Sequence, residues 1–201
     1  MWHESVEKLL QKMCDESIVR EHLHRKAYYW YKSTLTWFQL PIIFLSSVSG
    51  SLAFLSKSYP NFESTIITCT ASLSIMVSII SAVMTYLKLG ESKTKHEVSQ
   101  VAWQNFYNTV SHELNLAREL RAPPDEFVKK IKADYDRLFE ISPICSKKFI
   151  QAVKKKVKEH ASNTFQIPPY LNGFSTTVVW RDGDDDFQSN ESKQDGVILQ
   201  V

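Results

Sequence analysis

Two long apolar blocks dominate the pattern of hydrophobic and polar positions. The first, STLTWFQLPIIFLSSVSGSLAFLS, runs from Ser33 to Ser56, and the second, STIITCTASLSIMVSIISAVMTYL, from Ser64 to Leu87; neither contains a charged residue. At ~1.5 Å per residue either block makes a helix of about 36 Å, long enough to cross a hydrocarbon core of ~30 Å with some tilt. Only KSYPNFE, residues 57–63, separates them, and Pro60 and Asn61 supply the turn. The pattern predicts a helical hairpin with transmembrane helices at 33–56 and 64–89.

The flanks read differently. Residues 1–32 place Trp2, Val6, Leu9, Met13, Val19 and Leu23 at spacings of three and four, with one phase shift, which predicts an amphipathic helix running into the first block. After the second block, Trp103, Tyr107, Val110, Leu114 and Ala117 alternate four and three apart, a seam suited to packing against another helix or another subunit. Gly90 is the one obvious weak point between this helix and the second block. APPDEF restarts the chain with Pro124 in a first helical turn, followed by a stripe of Phe127, Ile131, Tyr135 and Leu138. ISPIC repeats the signal, with Ser142 as the expected cap and Pro143 in the first turn. The last helix carries Phe149, Ile150, Val153 and Val157 on one side, closing a helical region over 90–161. From Ser162 to Val201 the composition is that of a disordered acidic tail.

The fold class expected is therefore an all-α membrane protein, a two-helix hairpin with amphipathic cytoplasmic helices before and after it. The mean hydropathy of −0.24 resembles a water-soluble chain only because apolar residues are concentrated in two places. Charge sets the orientation. Arg20, Arg25, Lys26 and Lys32 precede the first block and Lys88, Lys93 and Lys95 follow the second, against Lys57 alone in the turn, so both termini are expected to be cytoplasmic. A net charge of +2 gives no reason to expect nucleic acid as a partner. Six lysines, Lys147, Lys148, Lys154, Lys155, Lys156 and Lys158, offer either contact with anionic lipid headgroups or a solvated helix face.

The hydroxyls inside the apolar blocks are patterned. Thr70, Ser74, Ser78 and Ala82 fall four apart, with Ser81 beside them, and Ser46 and Gly50 share that spacing in the first block. Small residues at this interval let helices approach closely in lipid, the first reading of the pattern, and part of the hydroxylated face is also suited to line a water-filled path in an oligomer. No Asp, Glu, Lys, Arg or His lies within either block, which argues against a proton relay.

Catalytic spacings fail. HELNL at His112 has Leu116 where a zinc-protease helix needs a second His. Asp182, Asp184 and Asp186 begin like a calcium loop, but Phe187 replaces its glycine and Lys193 its bidentate Glu. His22 and His24, two apart on a helix, point in different directions and do not share a metal. Cys14, Cys69 and Cys145 form no pair by spacing, as free thiols in a reducing compartment would not. Neither an enzyme nor a cofactor is expected.

Taken together, ESIVREHLHRKAYYWYKSTLTWFQLPIIFLSSVSGSLAF, the hydroxylated second block, KHEVSQVAWQNFYNTVSHEL and FVKKIKADYDRLFEISPI resemble the SLATT domain, the two-transmembrane effector domain associated with SMODS and SLOG modules. The resemblance covers about Glu16 to Lys158 and is to versions carried by large DNA viruses and some eukaryotes. It implies a pore-forming or channel-like effector that works as a homo-oligomer in the lipid bilayer. The chain departs from the bacterial systems in carrying no fused nucleotide sensor, which leaves a protein partner or a ligand of the helical part as the trigger. The alternative is a non-conducting membrane scaffold that recruits cytoplasmic partners.

Overall fold

The computed structural model describes residues 2–56 and 58–160 together with Pro168. The expected acidic tail, with its aspartate run, lies outside the described residues, as does Lys57. The regular elements among the described residues are all helical: α1 (Glu4–Ser56), a single 3-10 turn (Pro60–Phe62), α2 (Glu63–Tyr86), α3 (Leu89–Asn115), α4 (Pro124–Ile141) and α5 (Lys147–His160). Two of its segments, one in α1 and one in α2, are long and apolar enough to cross a membrane, and none of either apolar window is buried.

The amphipathic lead and the first apolar block form one helix of 53 residues, ~80 Å long, with Pro41 inside it. Pro41 has no N–H to donate, yet the helix continues past it. The opposite arm is jointed. Between α2 and α3 the backbone turns at Lys88, which adopts left-handed angles (φ 49°, ψ 37°). The break therefore falls two residues before Gly90, which is helical and has open space where a Cβ would sit.

The α2–α3 arm returns antiparallel to α1. Leu52 and Leu55 lie beside Ile66 and Cys69 at one end, His24 meets His96 in the middle, and Cys14 reaches the Tyr107 carbonyl further down. Away from the apolar segments, the arms are joined by two buried seams. On α1 these are Leu10, Cys14, Ser17, Glu21 and His24, alternating four and three apart; on α3 they are His96, Ser99, Trp103, Phe106 and Val110. Both expected stripes were slightly out of phase: Leu10 is buried and Leu9 is half exposed, and Phe106 is buried where Tyr107 is only partly covered. Polar residues occupy the core side of each seam, so hydrophobicity alone misplaces its phase.

Helices α4 and α5 close this bundle. Phe127 and Ile131 of α4 pack with Trp2, Leu10, Phe106 and Val110, and Phe149 and Val153 of α5 pack on Val19, Leu23 and Ala27. Pro124 opens α4 as its sequence predicts. Ser142 does not cap α5, which begins at Lys147; instead its hydroxyl accepts a bond from the Trp103 indole N–H at 2.9 Å, and residues 142–146 form a non-helical connection. At the far end, Glu7 accepts two bonds from Arg118 (2.9 and 2.6 Å) and another from Arg121, tying the α3–α4 loop to the start of α1.

Candidate functional site

Among the described residues, two places bring chemistry-bearing residues together: the outer surface of the α1–α2 pair, and a buried cluster where α1, α3 and the α4–α5 connection meet.

The contact between the apolar segments follows the partly covered positions, among them Ile42, Leu45, Val48, Ser49 and Leu52 on α1 and Ile66, Thr70, Leu73, Val77, Ile80, Ser81 and Met84 on α2. Ser46, Gly50, Ser74, Ser78 and Ala82 are exposed. The small-residue stripe of α2 thus begins in the helix contact at Thr70 and winds out of it. At ~100° per residue, Ser74 and Ser78 are offset from the α2 contact line in the same rotational sense as Ser46 and Gly50 are from that of α1. Because the helices are antiparallel, equal senses bring both stripes to one side of the pair. The hydroxyls of Thr70, Ser74 and Ser78 each donate to the carbonyl four residues earlier, at 2.8–3.0 Å, so they need no water to be satisfied.

The α3 seam lies inside the chain. Trp103 and Val110 are fully buried, Tyr107 and Leu114 pack against the core from its edge, and Ala117 is exposed beyond the end of α3. Its inner positions are occupied by α1 and α4, which leaves them no face for a second subunit. Of the six lysines, Lys147, Lys148, Lys155, Lys156 and Lys158 are exposed and Lys154 is half-buried. Lys155 lies 3.9 Å from Glu159, and the Lys148 ammonium sits over the Trp30 ring.

The buried cluster went unseen in the sequence. His24 and His96, 2% and 3% exposed, face each other with their Nδ1 atoms 2.9 Å apart, one ring donating to the other. The Cys145 Sγ lies 3.7 Å from the same His24 nitrogen. Tyr31 stacks on His96 with ring centroids 5.4 Å apart. Burial, reinforced by the neighbouring His96 and Arg20, pushes the His24 pKa down to about 4; burial also lowers that of His96 and pushes the Cys145 thiol up to about 11. All three groups are neutral at physiological pH. Both histidines fall in register on the buried seams, and this is the signal that could have found them: His24 and His96 sit at core positions of two helices whose charge-free extensions force them to pair antiparallel.

No family model, curated protein or solved structure matches the chain.

Proposed function

We propose that this chain is an integral membrane effector that assembles through its apolar helices into a pore or channel, as the SLATT-like order of its segments implies. In this reading α2 and the second half of α1 form a transmembrane hairpin, both termini are cytoplasmic, and α3 to α5 with the first half of α1 make a closed cytoplasmic bundle.

The observation that carries it is the position of the small residues. Ser46, Gly50, Ser74 and Ser78 are outside the contact that holds α1 to α2 and share one side of the pair. A stripe serving only to close the hairpin would lie within that contact. Two helices enclose no path, so conduction requires several copies, and a smooth outward face is where copies can approach closely in lipid. The α3 seam is spent within the chain, which supports a reading in which the subunits meet through their apolar segments.

The test joins particle mass to flux. Protein extracted into nanodiscs should form a closed ring of at least four subunits and release a trapped ion from liposomes; Ser74→Leu with Ser78→Leu should reduce the ring to smaller species and abolish release. A stable monomer with no flux would overturn the proposal and leave a scaffold.

A further inference from the structure

The geometry points to a binding site for one zinc-class divalent cation, held by His24, His96 and Cys145 at the junction of the cytoplasmic bundle with the apolar segments. This inference stands apart from the proposed pore, since it needs neither a membrane nor a second subunit.

Three observations carry it. One candidate ligand atom from each of the three residues lies within 4.8 Å of the others, and these come from α1, α3 and the α4–α5 connection. A tetrahedral zinc ion with bonds of ~2.0–2.1 Å to nitrogen and ~2.3 Å to sulfur sets its ligand atoms roughly 3.3–3.6 Å apart. The Nδ1–Nδ1 distance of 2.9 Å and the distance of 3.7 Å from Cys145 Sγ to His24 Nδ1 are close to that geometry, and the remaining pair, Cys145 with His96, lies within 4.8 Å, so binding draws the α4–α5 connection toward His96.

The second observation is chemical. Two imidazoles and a thiolate are borderline to soft donors, a set that takes zinc or copper in preference to magnesium or calcium. The third is burial: both histidines are nearly inaccessible, so the site is enclosed within the bundle and not spread over a solvated surface.

On binding, each histidine offers its Nδ1 lone pair and carries its ring proton on Nε2, and the hydrogen bond between the rings is replaced by two bonds to the ion. The Cys145 thiol loses its proton to solvent as the sulfur–metal bond forms, so one proton leaves per ion. The fourth position of the ion falls to water or a small anion. The site then holds a charge of +1, near both the buried carboxylate of Glu21, which favours it, and Arg20, which opposes it.

The experiment uses the untagged full chain in detergent, stripped with EDTA, exchanged into chelator-free buffer and titrated with Co2+ and then Zn2+. Expected are one Co2+ per chain, a thiolate-to-cobalt charge-transfer band, its bleaching by Zn2+, and release of one proton per ion. Cys145→Ser should remove the band while Cys69→Ser keeps it. His24→Gln and His96→Gln should each weaken binding by more than about tenfold, at least the loss seen when a supporting partner of a ligand is removed.

The wild-type band needs no variant to fold, so the result does not depend on how the variants behave. A wild-type protein that retains no stoichiometric Co2+ or Zn2+, one that binds without the charge-transfer band, or a band that survives Cys145→Ser would overturn the assignment. Loss of flux with an intact metal site would count against the pore alone.

Discussion

The Lys148 ammonium lies 3.3 Å from the centroid of the Trp30 ring, and the adjacent Phe149 meets the same indole edge-on at 5.9 Å. Trp30 precedes the first apolar block by three positions, so this pair fixes α5 to α1 beside that block. The six lysines of the last helix are therefore not equivalent. Lys148→Gln should destabilise the protein by about 0.5–1 kcal/mol, the worth of a partly exposed cation–π contact, in any lipid. Replacing Lys147, Lys155 and Lys158 with Gln should lower the thermal midpoint only in nanodiscs containing anionic lipid, at up to ~1 kcal/mol per lysine. Equal effects in neutral and anionic nanodiscs would argue for a solvated face.

Trp103 is fully buried and meets the rings of Phe106, Tyr135 and Phe139 edge-on, while Arg20 lies over its face at 5.4 Å. Trp103→Ala should cost about 3–5 kcal/mol. Trp103→Phe keeps most of the apolar volume but strands the Ser142 hydroxyl, and should cost clearly less. Thermal unfolding in detergent, followed by helical circular dichroism, separates the two.

Glu7 gives the bundle an acid limit. Hydrogen bonds from Arg118, with that of Arg121, outweigh the effect of burial and hold its carboxyl below the ordinary value of 4.5. A depressed carboxylate pKa means that the unfolded chain takes up the proton first. The clamp's contribution is thus whole above about pH 4.5 and is lost as pH falls through the lowered value. Glu7→Gln should cost about 1–2 kcal/mol at pH 7 and remove this part of the acid sensitivity. A pH profile identical to that of the parent chain would count against the clamp.

The hydroxyls of Ser74 and Ser78 are bonded to their own helix. Alanine at both positions should therefore leave the fold of the single chain unchanged within about 0.5 kcal/mol, since surface substitutions of this kind rarely do more. Under the proposed assembly, the same double alanine should keep the ring, because alanine is also small, whereas leucine should not. Particle mass distinguishes these outcomes.

Much of the fold could be read directly. The two apolar blocks, the turn at Pro60, the start of α4 at Pro124 and the buried faces of α4 and α5 follow from periodicity and from proline. The seams of α1 and α3 did not, and the reason is visible in Ser17, Glu21, His24, His96 and Ser99. These polar residues occupy core positions, where Ser17 and Glu21 pair along their own helix and the two histidines pair across the bundle, and a pattern built on hydrophobicity counts them as surface. The same blindness hid the cluster. His22 draws attention because it is two residues from His24, but the partner that matters is seventy-two residues away and becomes adjacent only when the arms pair. The joint at Lys88 was hidden for another reason: left-handed backbone is expected at glycine, and Gly90 stood conspicuously nearby.

The two arms that enter the apolar region differ mechanically. Helix α1 passes from the bundle into its apolar half without a break, through Pro41, from Glu21 to Leu52 and beyond. The other arm is interrupted at Lys88, where two helices meet at a single left-handed residue. The two arms thus enter the apolar region differently, one as an unbroken rod and the other across a single left-handed residue.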